Sequence, residues 1–293
     1  MAPRPIIIDC DPGQDDALML LLALASPTEL DILGISTVAG NVPLALTQRN
    51  ARLICEMAGK TETKVYAGCE RPMVRKLLTA EYVHGKSGID GVDIYEPKLP
   101  LQPQHAVDFI IDTLSTANDE SITLVPTGPL TNVATAFIKQ PAIIDKVDEI
   151  VLMGGGFREG GNTTPAAEFN VYVDPHAAHV VFECGRPITV MSLDVTHQVL
   201  TTPARLERIV EIDTPLAGSV RGMLEFYDRH DIEKYGAEGG PLHDPCTIAF
   251  LLKPDLFTGK PAYVAVETQS ELTMGATVVD YWGVTGNAPN ATW

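Results

Sequence analysis

Pro5-Ile6-Ile7-Ile8-Asp9-Cys10-Asp11-Pro12-Gly13-Gln14-Asp15-Asp16 decides how the rest of the chain is read. A short β-rich run, Pro5 to Asp9, stops at a Pro-Gly turn, and Asp15 to Ala25 then reads as a helix opened by acids and closed before Ser26-Pro27. Four carboxylates therefore fall within eight residues at a strand-to-helix turn. A helix N-terminus favours one or two acids through its dipole, and Gly13 suits the turn. That account gives no reason for two more at the end of a buried strand. Like charges this close repel, and a cation or proton uptake relieves them. A carboxylate donor set suits a hard cation, Ca2+ or Mg2+, better than zinc. An Asp-x-Asp pair after a first strand is also compatible with an aspartyl-nucleophile phosphatase. Thr or Val would then be expected where Gly13 stands, and no phosphate-binding cations accompany the cluster.

Outward from this stretch the alternation continues. Strands are expected at Leu30 to Val38, Lys64 to Ala67, Ser121 to Val125, Val147 to Met153 and Pro187 to Leu193. Helices are expected at Leu44 to Ala58, His105 to Thr116, Leu130 to Lys139 and Pro175 to Glu183. Such βαβ alternation predicts an α/β fold with an open, mostly parallel sheet flanked by helices. Beyond Thr201 the pattern turns helical, with Pro203 to Glu211, Pro215 to Glu233 and Pro245 to Leu252, before two strands at Pro261 to Glu267 and Ala276 to Tyr281. These later elements are expected around the ligand-facing edge of the sheet as a cap, and Asn287 to Trp293 reads as loop. With no repeat, low-complexity tract or linker, residues 1–293 are read as one domain.

In open parallel sheets ligands bind beyond the carboxyl ends of the strands. The strands lead into Asp9, Asp11, Asp15 and Asp16, then Gly40-Asn41, Pro126-Thr127-Gly128, Gly154-Gly155-Gly156 and Asp194. Small and oxygen-bearing residues thus gather on one edge. Composition narrows the ligand: 21 Lys and Arg against 38 Asp and Glu give a net charge of −17, which argues against a nucleic-acid partner. The longest purely apolar run, Ala17 to Ala25, is about half of a bilayer span, so no membrane partner is expected. Five cysteines without paired spacing, and no signal peptide at the N-terminus, point to a reducing cytoplasm.

The opening Asp-x-Asp-x-Gly-x-Asp-Asp resembles that of the inosine-uridine type nucleoside hydrolases, which cleave the N-glycosidic bond of ribonucleosides. Further similar motifs follow in family order: Val38-Ala39-Gly40-Asn41, His84-Gly85-Lys86-Ser87-Gly88, Leu124-Val125-Pro126-Thr127-Gly128, Met153-Gly154-Gly155-Gly156, Ala167-Glu168-Phe169-Asn170 and His243-Asp244-Pro245. The resemblance extends over nearly the whole chain, with the family's C-terminal strand and helix missing here, and implies a Rossmann-like sheet and a homo-oligomer, dimer or tetramer, serving nucleoside salvage. It implies Ca2+ held by Asp11, Asp16, the main-chain carbonyl of Thr127 and Asp244. It also implies a ribose held by Asp15, Asn41, Met153, Asn162, Glu168 and Asn170. An all-oxygen shell fits Ca2+, and converging amides and carboxylates fit a furanose. Locally, Asp244-Pro245 is also what a helix N-cap looks like, as is Asp174-Pro175, which is read as a cap.

Breaking a ribosyl C–N bond builds positive charge on the sugar and negative charge on the base. Asp11 is the expected general base, while His84, Tyr235 and His243 are expected to assist the leaving base by donating protons or hydrogen bonds. His105, His176, His179, His197 and His230 are read as structural or solvated. Lys234-Tyr235-Gly236 followed by Pro241-Leu242-His243-Asp244-Pro245 looks closest to the pyrimidine-preferring branch of the family, so uridine and cytidine are the expected substrates. Broad inosine-uridine activity, or nucleoside binding without catalysis, are the alternatives.

Overall fold

The computed structural model describes residues 2–293, except for the side chains of Asp231, Lys234 and Tyr235. Its organising strand is β1 (Arg4–Cys10), buried from Ile6 onward on both faces. Ile6, Ile8 and Cys10 point into one apolar cluster and Ile7 into the other, the period of two that a strand imposes. β1 pairs in parallel with β2 (Leu30–Thr37) and with β5 (Ile122–Pro126). β3 (Val65–Ala67) and β4 (Leu101–Gln102) continue the sheet beyond β2, and β6 (Val147–Met153) and β7 (Ile188–Met191) continue it beyond β5, all in parallel. The chain thus moves outward from β1 in one direction, returns, and resumes on the other side at β5. That reversal opens a crevice at the carboxyl ends of β1 and β5.

Helices cover both faces. α1 (Gln14–Leu24) and α2 (Leu44–Met57) pack on the Ile6–Ile8 side, joined there by Met223 of α10 (Pro215–Tyr235) and Ile248 of α11 (Pro245–Leu252). On the other side α4 (Ala106–Ser115), α5 (Thr131–Lys139) and α7 (Pro175–Phe182) bury Ile110, Leu114, Phe137 and Phe182 against Ile7 and Leu124. Three short helices, α3 (Glu81–His84), α6 (Phe169–Val173) and α8 (Leu193–Thr196), sit in the loops after strands, and α9 (Pro203–Val210) contacts α10. The Asp174 carboxylate accepts from Ala177 N at 3.0 Å, so Asp174 is the cap it was read to be.

Two expectations need correction. The strands expected at Pro261 to Glu267 and Ala276 to Tyr281 are β8 (Pro261–Val266) and β9 (Thr277–Asp280), but they form a hairpin that widens the sheet rather than covering its ligand edge. Asn287 to Trp293 is not all loop: Ala291–Thr292 form β10, parallel to β7 and antiparallel to β8. Two residues are too few for any periodicity to be read, and their pairing partners lie far away in sequence. Among the described residues the sheet therefore has ten strands in the order β4-β3-β2-β1-β5-β6-β7-β10-β8-β9.

Candidate active site

The loops after β1, β2, β5 and β6 converge on one group of buried acids. Asp9, the penultimate residue of β1, accepts from Ser36 Oγ at 2.6 Å and Asn132 Nδ2 at 2.8 Å, and burial raises it to about 7. Asp11 is enclosed by glycines. A Cβ on Gly40 would stand 2.0 Å from its Oδ2 and one on Gly128 2.5 Å from its Oδ1, which explains a glycine in both loops. Asn41 N donates to Asp11 Oδ2 at 2.7 Å. Asp16 accepts from Gly13 N at 3.0 Å, Asn41 Nδ2 at 3.3 Å and Thr127 Oγ1 at 2.9 Å, which ties α1 to the loops after β2 and β5.

Carboxylate oxygens of Asp15, Asp16 and Asp244 lie within 4.8 Å of one another. Asp244 makes no capping bond to α11, unlike Asp174, so its side chain belongs to this cluster. Burial first, and then neighbouring carboxylates, push Asp11 and Asp244 well above the usual range and Asp15 to about 8, while burial raises Asp16 to about 6. Among the described residues Asp11 Oδ1 and Asp15 Oδ1 are buried without a hydrogen-bond partner. Buried acids that are both crowded and incompletely hydrogen-bonded are the donor set a hard cation satisfies.

Above the cluster opens a cavity of about 450 Å3, whose wall includes Asp15, Asn41, Thr127 and Asp244, while Asp11 and Asp16 lie beneath it. Its volume is in the range of small-molecule sites. Met153, Asn162, Glu168 and Asn170 line it as well. Asn170 Nδ2 donates to the carbonyls of Thr127 at 2.7 Å and Met153 at 3.2 Å. Glu168 caps α6, accepting from Asn170 N at 2.8 Å and Val171 N at 3.2 Å, and it also accepts from Gly155 N at 2.9 Å. Asn162 Oδ1 receives Phe169 N at 3.0 Å.

His84 and His243 also line the cavity, and burial lowers each to about 3, so both are neutral near pH 7. They can offer hydrogen bonds to a ligand, but neither carries a ready proton. His84 Nδ1 lies 2.8 Å from Gln14 Oε1, and His243 Nδ1 lies 2.7 Å from Thr196 Oγ1. Tyr235 ends α10, and its side chain lies outside the described residues. His197 and His230, read as structural or solvated, both stand in the cavity wall. His197 Nδ1 lies 2.9 Å from Glu159 Oε2, and its ring is 5.8 Å from that of His243. Tyr227 was also missed; it stacks on His84 at 5.6 Å. Tyr227 and His230 stand three apart on α10, spacing that puts them on one helix face, and this was the available signal. His105 instead receives Val107 N as the cap of α4.

An open α/β sheet with buried carboxylates beneath a cavity at its switch point defines the class, and comparison with known proteins gives the family. The family model described as inosine-uridine preferring nucleoside hydrolase matches residues 6–293, and the chain belongs to that family. It is 50% identical to an uncharacterised protein of Schizosaccharomyces pombe, over 95% of this chain and 90% of that one. It is 48% identical to the pyrimidine-specific ribonucleoside hydrolase RihA of Photobacterium profundum, over 99% of this chain and 93% of the relative. The solved structure of a purine-preferring ribonucleoside hydrolase from Gardnerella vaginalis superposes with a TM-score of 0.91 at 33% identity, over 99% of this chain and 92% of the other. The protein is a ribonucleoside hydrolase. Among the described residues no helix is long and apolar enough to cross a membrane.

Proposed function

We propose that the protein hydrolyses pyrimidine ribonucleosides, uridine and cytidine, to ribose and free base, with Ca2+ held by Asp11, Asp16, the Thr127 carbonyl and Asp244. The observation that carries the chemistry is the set of buried, incompletely hydrogen-bonded carboxylates under a nucleoside-sized cavity. Similarity to RihA, closer than to the purine-preferring enzyme, supports the choice of base. Ca2+ bound there supplies positive charge that offsets the carboxylates and makes the attacking water more acidic.

The chain's own residues do the rest. Asp15, Asn41, Met153, Asn162, Glu168 and Asn170 hold the ribose and fix its reacting carbon. Asp11 accepts a proton from water as the new C–O bond forms. The C–N bond breaks, and its electron pair leaves with the base. The negative charge of Glu168 favours the cationic sugar of the transition state. His243 and Tyr235 assist the departing base by hydrogen bonding, while His84 contacts it. Asp15 is the competing proton acceptor, because it has an unpartnered oxygen and stands in the cavity wall, whereas Asp11 lies beneath.

A panel of nucleosides, assayed for free ribose with and without chelator, tests the proposal. Higher kcat/KM for uridine and cytidine than for inosine, abolished by chelation, is expected. Equal efficiency on inosine and uridine would remove the pyrimidine preference, and binding without ribose release would make the protein a nucleoside-binding module. A homo-oligomeric, cytoplasmic enzyme of nucleoside salvage completes the reading. It is supported by five unpaired cysteines and by Trp282 and Val284, which are at least 80% exposed on the hairpin side of the sheet.

A further inference from the structure

We propose that Gln14 is a positioning residue that holds His84 with its proton on Nδ1, so that Nε2 presents a lone pair to the cavity and accepts an N–H of the base. The Gln14 side-chain amide donates through Nε2 to two carbonyls, His84 O at 3.0 Å and Asp90 O at 3.1 Å. Turning the amide over would aim its oxygen at both carbonyl oxygens, so the orientation of Gln14 is fixed by its surroundings. Its Oε1 can only accept, and it lies 2.8 Å from His84 Nδ1. The proton therefore sits on Nδ1, and the neutral ring keeps its acceptor at Nε2.

Gly13 keeps this pair close. A Cβ at that position would stand 2.4 Å from His84 Nδ1. His84 lines the cavity, and with Nδ1 engaged by Gln14 the nitrogen left to meet a ligand is Nε2. His243 differs. Its Nδ1 faces the Thr196 hydroxyl, which can donate as well as accept, so His243 can carry its proton on Nε2 and point it at the ligand.

The two histidines thus divide the work. His84 selects a base carrying an N–H, as uracil does at N3 and cytosine at its exocyclic amine, while His243 supplies the donor. An N–H becomes no better a donor as negative charge grows on the base, so the contact contributes no more to the transition state than to the ground state. Its loss should appear in KM, with kcat little changed. This division rests on the nucleoside reading of the cavity, whereas the position of the proton on His84 does not.

The test begins with the full-length, substrate-free protein carrying 15N-labelled histidine. A long-range 1H–15N correlation spectrum reports which ring nitrogen is protonated, and the His84 signals are those lost in His84→Asn. Protonated Nδ1 with bare Nε2 is expected, while protonated Nε2 would overturn the assignment. Gln14→Met, which removes the acceptor, should let the proton move to Nε2; Gln14→Glu, which keeps one, should retain it on Nδ1. An unchanged Nδ1–H in Gln14→Met would remove Gln14 as its cause. On uridine, Gln14→Met should raise KM about tenfold with kcat within about twofold. A collapse of kcat with KM unchanged would make His84 the proton donor instead. Because the spectrum is read without substrate, an Nδ1–H pattern in a protein inactive on every nucleoside supports the tautomer and counts only against the substrate.

Discussion

Asp11 sits between Gly40 and Gly128 with no room for a larger side chain, so an isosteric change is the informative one. Asp11→Asn keeps the volume and removes the proton acceptor; turnover on uridine should fall about 10²–10⁴-fold. Calorimetric metal affinity should fall less than in Asp16→Ala. If Asp15→Asn lost as much turnover and Asp11→Asn little, the base would be Asp15. His84 yields a pH signature. Burial holds it to about 3 in the fold, whereas an unfolded histidine titrates near 6.5, so the unfolded chain binds the extra proton between these values. Its contribution to stability is whole above pH 6.5 and is lost as pH falls toward 3. The stability of the wild type relative to His84→Asn, from urea unfolding, should therefore shrink between pH 7 and pH 4. A constant difference would mean that folded His84 takes up the proton. The aspartate cluster was legible because four acids in eight residues exceed what a helix cap needs. The tautomer of His84 was not, because it depends on Gln14, which is 70 residues away and has an ordinary polar side chain.

Asp194, at the start of α8, organises the loop that carries Glu159, Gly161 and Asn162 to the cavity. Its carboxylate accepts from Phe157 N at 3.0 Å, Arg158 N at 2.7 Å, Glu159 N at 3.1 Å and Trp293 Nε1 at 3.0 Å. Burial alone would raise its carboxyl group, but these donors outweigh burial and hold it below the usual range. Asp194→Ala should cost roughly 1–3 kcal/mol, a loss of several degrees in Tm by calorimetry, and should raise KM more than it lowers kcat. An unchanged KM would mean that the loop keeps its shape without this anchor. Long elements such as α2 and β6 were readable because α2 carries an amphipathic helical period and β6 a continuous apolar run. Short ones were not: α3, α6 and α8 span four or five residues, and tertiary contacts decide them. Asp174-Pro175 and Asp244-Pro245 look alike in sequence, and only the neighbours that folding supplies make one a cap and the other a member of the acidic cluster.

At the scale of the molecule, the acid cluster joins β1, α1, the β5 loop and α11, so relieving its repulsion should stiffen the whole switch point. Exhaustive chelation is expected to lower Tm, and Ca2+ at a hundredfold excess over its Kd to restore about 2.7 kcal/mol by linkage. A Tm unmoved by chelator would remove the metal from the site. The far side of the sheet depends on a different joint. β8 and β9 reach β7 through β10, whose residues Ala291 and Thr292 follow the hairpin in the chain. Asn290 reinforces this joint, with Oδ1 accepting from Val264 N at 2.8 Å and Nδ2 donating to Phe182 O at 3.1 Å. During synthesis the strands from β1 to β7 can zip together while the β8–β9 hairpin still lacks its neighbour. The hairpin is thus held back until the ribosome has delivered residue 292, and until then its open edge is the part of the nascent protein most in need of protection from other chains.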